Sequence, residues 1–229
     1  MTLRFETAPM PTTQILFIRH GETAWNRIKR IQGHIDIPLA DTGLAQARQL
    51  AERLAREARG GARIDAVYTS DLSRARQTAQ PTADALGLPL VPRQALRERA
   101  YGVFQGHDST EIEARFPDAF AQWQTRDPGF EPEGGELHRA FYHRVLHEVE
   151  RIVAAHPGGR IACVAHGGVL DCVYRFANDL PLDAPRKHAL LNTSVNVVDY
   201  DDGRARVVRW ADVDHLSGAS DDDGYRKVL

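Results

Sequence analysis

Ile15-Leu16-Phe17-Ile18-Arg19-His20-Gly21 is the stretch on which the reading of this chain turns. Four consecutive apolar residues have the character of a strand buried on both faces of a parallel sheet. A histidine and a glycine follow where such a strand would end. The pattern returns at Ile161-Ala162-Cys163-Val164-Ala165-His166-Gly167-Gly168. Two strand–His–Gly units in one chain direct attention to the carboxyl edge of a sheet.

Between and around these units, strand and helix patterns alternate. Asp41 or Thr42 is placed to cap a helix through about residue 59, with Leu44, Ala47, Leu50, Ala51 and Leu54 on one face and Gly60-Gly61 ending it. Residues 64–68 read as the next strand. Ser70 or Asp71 would cap a second helix, with Leu72, Ala75, Ala79 and Ala83 at helical spacing and Pro81 as a candidate kink. Residues 88–91 form a brief strand, residues 108–126 irregular helix, residues 136–156 a long helix, and residues 168–178 another. Residues 194–200 and 205–210, separated by Asp201-Asp202-Gly203, form a hairpin. Repeated strand–helix units predict an α/β fold: a three-layer sandwich with a mostly parallel central sheet and helices on both faces.

The 229 residues fit one α/β domain, and no Pro/Gly/Ser-rich linker divides them. We place a short disordered lead-in at residues 1–13, the domain at 14–216 and an acidic flexible tail at 217–229. The net charge of −2 offers no general attraction to nucleic acid or an anionic membrane, so phosphate binding must come from a local cluster. No apolar stretch approaches the ~20 residues of a membrane span, and the amino terminus lacks a signal-peptide layout. The two cysteines, Cys163 and Cys172, read as buried free thiols, which suits a cytoplasmic protein. A homodimer is left open.

In open α/β sheets ligands sit beyond the carboxyl ends of the strands. The sequence places four groups there: Arg19-His20-Gly21, Arg74 one turn into a helix, Glu98 in a loop, and His166-Gly167-Gly168. Glycine after each histidine lets the backbone turn sharply and approach a ligand. The helix behind His166 presents free N–H groups to an anion. Each residue alone has a plainer reading. An Arg-His-Gly tripeptide arises by chance, a lone histidine is more often hydrogen-bonded than catalytic, and Arg74 and Glu98 could be solvated charges. Their joint placement favours a phosphate site.

The segment from Ile18 to Asn26 (Ile-Arg-His-Gly-Glu-Thr-Ala-Trp-Asn) resembles the opening signature of the histidine phosphatase superfamily, also called the phosphoglycerate mutase-like family. Four further motifs follow in order. Gln32-Gly33-His34-Ile35-Asp36-Ile37-Pro38-Leu39, with Thr42-Gly43, resembles the next loop and helix start. The run from Thr69 to Ala79 resembles the segment with the second arginine, Leu96-Arg97-Glu98-Arg99-Ala100-Tyr101-Gly102 the acid/base loop, and Val164-Ala165-His166-Gly167-Gly168 the second-histidine motif. The resemblance spans residues 14–215. It implies a metal-independent enzyme without a cofactor, in which His20 is the nucleophile, Arg19, Arg74 and His166 bind phosphoryl oxygens, and Glu98 is general acid and base. Thr23, Asn26, Gln32, Gly33 and the Gly167 N–H are implied further phosphate contacts. Arg76 is a rival to Arg74, but it points to a different helix face.

A histidine attacks phosphorus as neutral imidazole. Arg19 and Arg74 would disfavour a further positive charge on His20. An acceptor for the other ring N–H, expected to be a backbone carbonyl, would fix the tautomer. The acidic run Asp221-Asp222-Asp223 reads as tail and not as a metal site.

Within the resemblance, hydrolases and mutases divide. Glu98-Arg99-Ala100-Tyr101-Gly102 keeps a mutase-like arginine and tyrosine. Ser109 falls where a mutase lysine would be and Gln124-Thr125 where its arginine pair would be, with Arg126 as a partial substitute. Glu133-Gly134-Gly135-Glu136 is similar to the shorter arrangement of the broad-specificity phosphatases. The expected activity is therefore hydrolysis of a small phosphomonoester, with phosphoglycerate mutase-type transfer as the alternative. A non-catalytic phosphate-binding member would lack His20 or Glu98, and both are present.

Overall fold

The computed structural model describes residues 11–216. In chain order the elements are β1 (Thr13–Arg19), α1 (Ala24–Arg27), α2 (Asp41–Arg59), β2 (Ala66–Ser70), α3 (Ser73–Leu86), β3 (Leu90–Arg93), α4 (Ser109–Arg115), α5 (Pro117–Gln124), α6 (His138–Ala155), β4 (Arg160–Ala165), α7 (Gly167–Ala177), β5 (Val195–Asp201) and β6 (Arg204–Asp212). The strands form one sheet in the order β3-β2-β4-β1-β5-β6. Strands β1, β2, β3 and β4 are mutually parallel, and β5 runs antiparallel to β1. Four carboxyl ends therefore share one edge, and the antiparallel β5 begins at that edge.

The period-two alternation of a strand sends successive side chains to opposite faces. Ile15 and Phe17 of β1 face the layer of α6 and α7, packing with Phe141, Val145, Val149, Leu170 and Val173. Leu16 and Ile18 face the layer of α2 and α3, packing with Leu50, Leu54, Ala75, Ala79 and Ala83. Each fully buried side chain of this size stabilises the fold by roughly 1.5–3 kcal/mol. This is the expected three-layer α/β sandwich. A third cluster, Phe104, Ile112, Phe120 and Phe130 with Tyr101 and Trp123 against it, lies outside both layers. It is built from the chain between β3 and α6, and it supplies one wall of the cavity described below.

Several local expectations need correcting. Neither Asp41 nor Thr42 caps α2; Ala40 holds the cap position, and the Thr42 hydroxyl donates instead to Glu22 at 2.5 Å. Neither Ser70 nor Asp71 caps α3, which starts two residues later. Asp71 is taken by Arg97 in a two-pronged pair at 2.7 and 2.7 Å, and the distant Asp36 accepts from the Ser73 N–H at 2.8 Å. Pro81 lies inside one continuous helix. Thr13, assigned to the lead-in, opens β1 and donates to the His156 carbonyl at 2.8 Å. The rest of the lead-in, residues 1–10, and the acidic tail lie outside the described residues. Both cysteines are buried and free, with burial pushing their thiols upward. Among the described residues no helix is long and apolar enough to cross a membrane.

Candidate active site

His20 and His166 follow directly on the adjacent parallel strands β1 and β4, and their ring centroids lie 5.2 Å apart. The His20 Nδ1 is 2.7 Å from the Gly21 carbonyl. A carbonyl only accepts, so Nδ1 carries the proton and Nε2 keeps its lone pair. This is the backbone acceptor expected from the sequence. The imidazole is held well below its ordinary pKa, chiefly by burial, then by Arg74 and Arg19, against the Gly21 hydrogen bond. Burial and the two arginines thus favour the neutral ring. The His20 backbone is fixed too: its N–H donates to the Ala165 carbonyl at 2.9 Å, and its carbonyl accepts from the Asn192 side chain at 2.8 Å.

The two arginines are buried, and other segments aim them. The Arg19 guanidinium donates to the Leu190 carbonyl. Arg74 donates to the carbonyls of Gly33 at 2.8 Å and Ile35 at 3.1 Å. The loop that follows the first motif thus orients the second arginine. Arg76 is exposed on the other side of α3.

Glu98 faces the same edge. Its carboxylate accepts from the Gly168 N–H at 2.9 Å and the Arg99 N–H at 2.8 Å. His34 donates to the Glu98 carbonyl at 2.8 Å, and Arg144 of α6 donates to the Ala95 carbonyl at 2.7 Å while pairing with Glu136 at 2.8 Å. The loop that carries Glu98 is thereby tied to two other segments. His166 is fully buried with a lowered pKa, first from burial and then from Arg74. Neither of its ring nitrogens has a hydrogen-bond partner among the described residues.

The glycines correct another expectation. Neither Gly21 nor Gly167 adopts a left-handed conformation. Gly21 is needed for space, since a Cβ there would stand 2.8 Å from the Gly43 carbonyl oxygen. Behind His166 the demanding position is Gly168, where a Cβ would stand 2.1 Å from Glu98 Oε1.

A cavity of about 570 Å³ opens over this edge, lined by Arg19, His20, Asn26, Gln32, Gly33, Arg74, Glu98 and Gly167 among others. Thr23 is not in the lining. Its hydroxyl accepts from the Asn26 backbone N–H at 3.1 Å and its own N–H donates to the Asn26 side-chain oxygen at 2.9 Å, a reciprocal cap on α1 that holds Thr23 in the interior. His166 also lies behind the lining, next to His20. The lining also includes Arg99, Tyr101, Trp123, Arg126, Asp171 and Arg186. Arg126 Nη2 is 3.4 Å from Asp171 Oδ2, and that carboxylate is also held by Arg175 and His188, each at 2.9 Å. Ser109, Gln124 and Thr125 do not line the cavity. Sequence reasoning missed Leu190 and Asn192, which carry no motif. Their signal is topological, because a strand antiparallel to β1 must begin at the edge where β1 ends. Among the described residues, no group of three or more His, Cys, Asp or Glu is arranged to hold a metal ion.

A sequence model of the histidine phosphatase superfamily (branch 1) matches residues 15–213, and the chain belongs to that superfamily. It is 38% identical over 216 residues to phosphoglycerate mutase-like protein 4 of Arabidopsis thaliana, covering 93% of this chain and 91% of that protein. It is 39% identical over 207 residues to a metal-independent phosphoserine phosphatase of the same plant, covering 90% and 84%. Among solved structures it resembles Bacillus stearothermophilus YhfR, with a TM-score of 0.80, 33% identity, and coverage of 90% of this chain and 100% of that one. The fold and these relatives make it an enzyme of the phosphoglycerate mutase-like histidine phosphatase type.

Proposed function

We propose that the chain hydrolyses a small phosphomonoester through a phosphohistidine on His20. The observation that carries this reading is the His20 ring, neutral and with Nδ1 committed to the Gly21 carbonyl, so that Nε2 is the nucleophilic atom. In-line attack forms an N–P bond and breaks the bond from phosphorus to the leaving oxygen. Glu98, protonated, gives its proton to that oxygen, and the alcohol departs. As carboxylate it then takes a proton from water, whose oxygen attacks phosphorus. The N–P bond breaks, neutral His20 returns and phosphate is released. Arg19, Arg74 and the Gly167 N–H of the lining meet the charge on the equatorial oxygens, with His166 behind them beside His20. These cations and donors do the work that a metal would otherwise do.

The cavity has more room than a phosphoryl group needs, and its lining also carries Arg99, Arg126 and Arg186. This lining suits a small leaving group with an acidic function. Phosphoserine, the substrate in one relative's name, is of that class. Arg99 and Tyr101 in the wall favour mutase transfer as a second reading, but Ser109, Gln124 and Thr125 stand outside the lining. With two buried thiols that need no oxidising compartment, we place the enzyme in the cytoplasm. The test is turnover of phosphorylated sugars, glycerates, amino acids and nucleotides in excess EDTA. Release of inorganic phosphate is expected, fastest for a small phosphorylated acid. Isomerised product without phosphate release would support the mutase, and activity restored only by added magnesium or zinc would overturn the metal-independent scheme.

A further inference from the structure

The carbonyl that sets the His20 tautomer belongs to Gly21, a residue with unusually free backbone dihedrals. Something else must hold that carbonyl in place. On the carboxyl side, the Glu22 N–H donates to the Gln46 side chain at 2.9 Å. On the amino side, the His20–Gly21 peptide is pinned at both ends. Its carbonyl accepts from Asn192 at 2.8 Å, and its N–H donates to the hydroxyl of Thr78 at 2.9 Å. Thr78 lies fully buried on α3, one turn beyond Arg74, and its hydroxyl donates to the Arg74 carbonyl at 2.7 Å. A buried helical threonine often makes that last bond for local reasons alone. The bond received from Gly21, in the next segment of the site, is what a purely local role leaves unexplained.

We propose that Thr78 is a positioning residue for His20: its hydroxyl fixes the Gly21 backbone, and through it the ring tautomer and the aim of Nε2, while coupling that backbone to the helix that carries Arg74. The inference rests on the reading of His20 as nucleophile. Thr78 itself touches no reacting atom. Thr78→Val removes the hydroxyl and keeps the branched shape, and Thr78→Ser keeps the hydroxyl. In the full chain, ring ¹⁵N NMR of His20 should show Nδ1–H with a bare Nε2 in the wild type and in Thr78→Ser, and mixed tautomers in Thr78→Val. With p-nitrophenyl phosphate, the rate of phosphoenzyme formation should fall about 10–100-fold in Thr78→Val with KM little changed, as expected for misplacement of a reacting group. Thr78→Ser should stay within a few-fold of wild type. Should Thr78→Val fail to fold, Thr78→Ala carries the same expectation. A hydroxyl-free variant with the wild-type tautomer and phosphorylation rate would overturn the proposal, as would a folded Thr78→Ser as impaired as Thr78→Val. If His20→Ala keeps its turnover, the reading of His20 fails instead. If His20→Ala is inactive and Thr78→Val is unaffected, only the role of Thr78 fails.

Discussion

Arg74 directs its guanidinium at the carbonyls of Gly33 and Ile35 and is 1% exposed, whereas Arg76 is exposed. Residues two positions apart on an α-helix are separated by ~200°, so only one of the pair can face the sheet edge. Arg74→Ala should cost roughly 10²–10³ in kcat/KM, the scale of a lost preorganised donor, about 2.7–4 kcal/mol. Arg76→Ala should leave the rate nearly unchanged, since an exposed arginine contributes about 0–1 kcal/mol. Measuring both on one phosphomonoester decides the matter, and greater damage from Arg76→Ala would show the site misassigned. This distinction was legible in the sequence because helical geometry and the motif agree on it. The interior position of Thr23 was not, because a motif does not reveal that a hydroxyl will be taken up in a reciprocal cap with Asn26. Nor was Asn192, whose place depends on the direction of a strand that no neighbouring residue announces.

The joint between β4 and α7 brings two of the motifs into contact. The Gly168 N–H holds Glu98, and a Cβ at Gly168 would overlap Glu98 Oε1 at 2.1 Å while meeting Phe141 at 3.1 Å. Glu98 is the flexible partner and would move. Gly168→Ala should therefore fold, helped by the better helix propensity of alanine, about 1 kcal/mol, and lose on the order of 10²-fold in kcat through a displaced acid/base group. Thermal melting and kcat on the same preparation check this, and unchanged kcat would mean that Glu98 tolerates the shift. Strands and helices were legible at this scale because their apolar periods are strong, and both faces of β1 filled as the period predicts. Helix starts were less so. Capping rules look to neighbouring residues, but α3 is capped by Asp36, 37 positions upstream of Ser73, after Arg97 has claimed Asp71.

Across the whole molecule, the site is assembled at a cost that appears on acidification. His20 and His166 are buried and held below their ordinary pKa, each chiefly by burial and then by Arg74. In the unfolded chain they titrate near 6.5. Below that pH the unfolded state binds protons that the folded state refuses, so the stability they contribute is complete above about pH 6.5 and is lost as pH falls. The slope is at most about 1.4 kcal/mol per pH unit for each histidine. Urea midpoints at pH 7.5 and 5.5, without phosphate, should fall on acidification, and less steeply in His166→Asn. A midpoint that rises on acidification, or an unchanged slope in that variant, would contradict this. In the proposed mechanism one of these histidines, His20, accepts the phosphoryl group, and that claim is open to a direct measurement. Rapid acid-free quenching during turnover of a ³²P-labelled phosphomonoester, followed by peptide mapping, should find the label on His20, stable to base and labile to acid, and absent from His20→Ala, which should not turn over. Label on any other residue, or turnover by His20→Ala at the wild-type rate, would contradict the account.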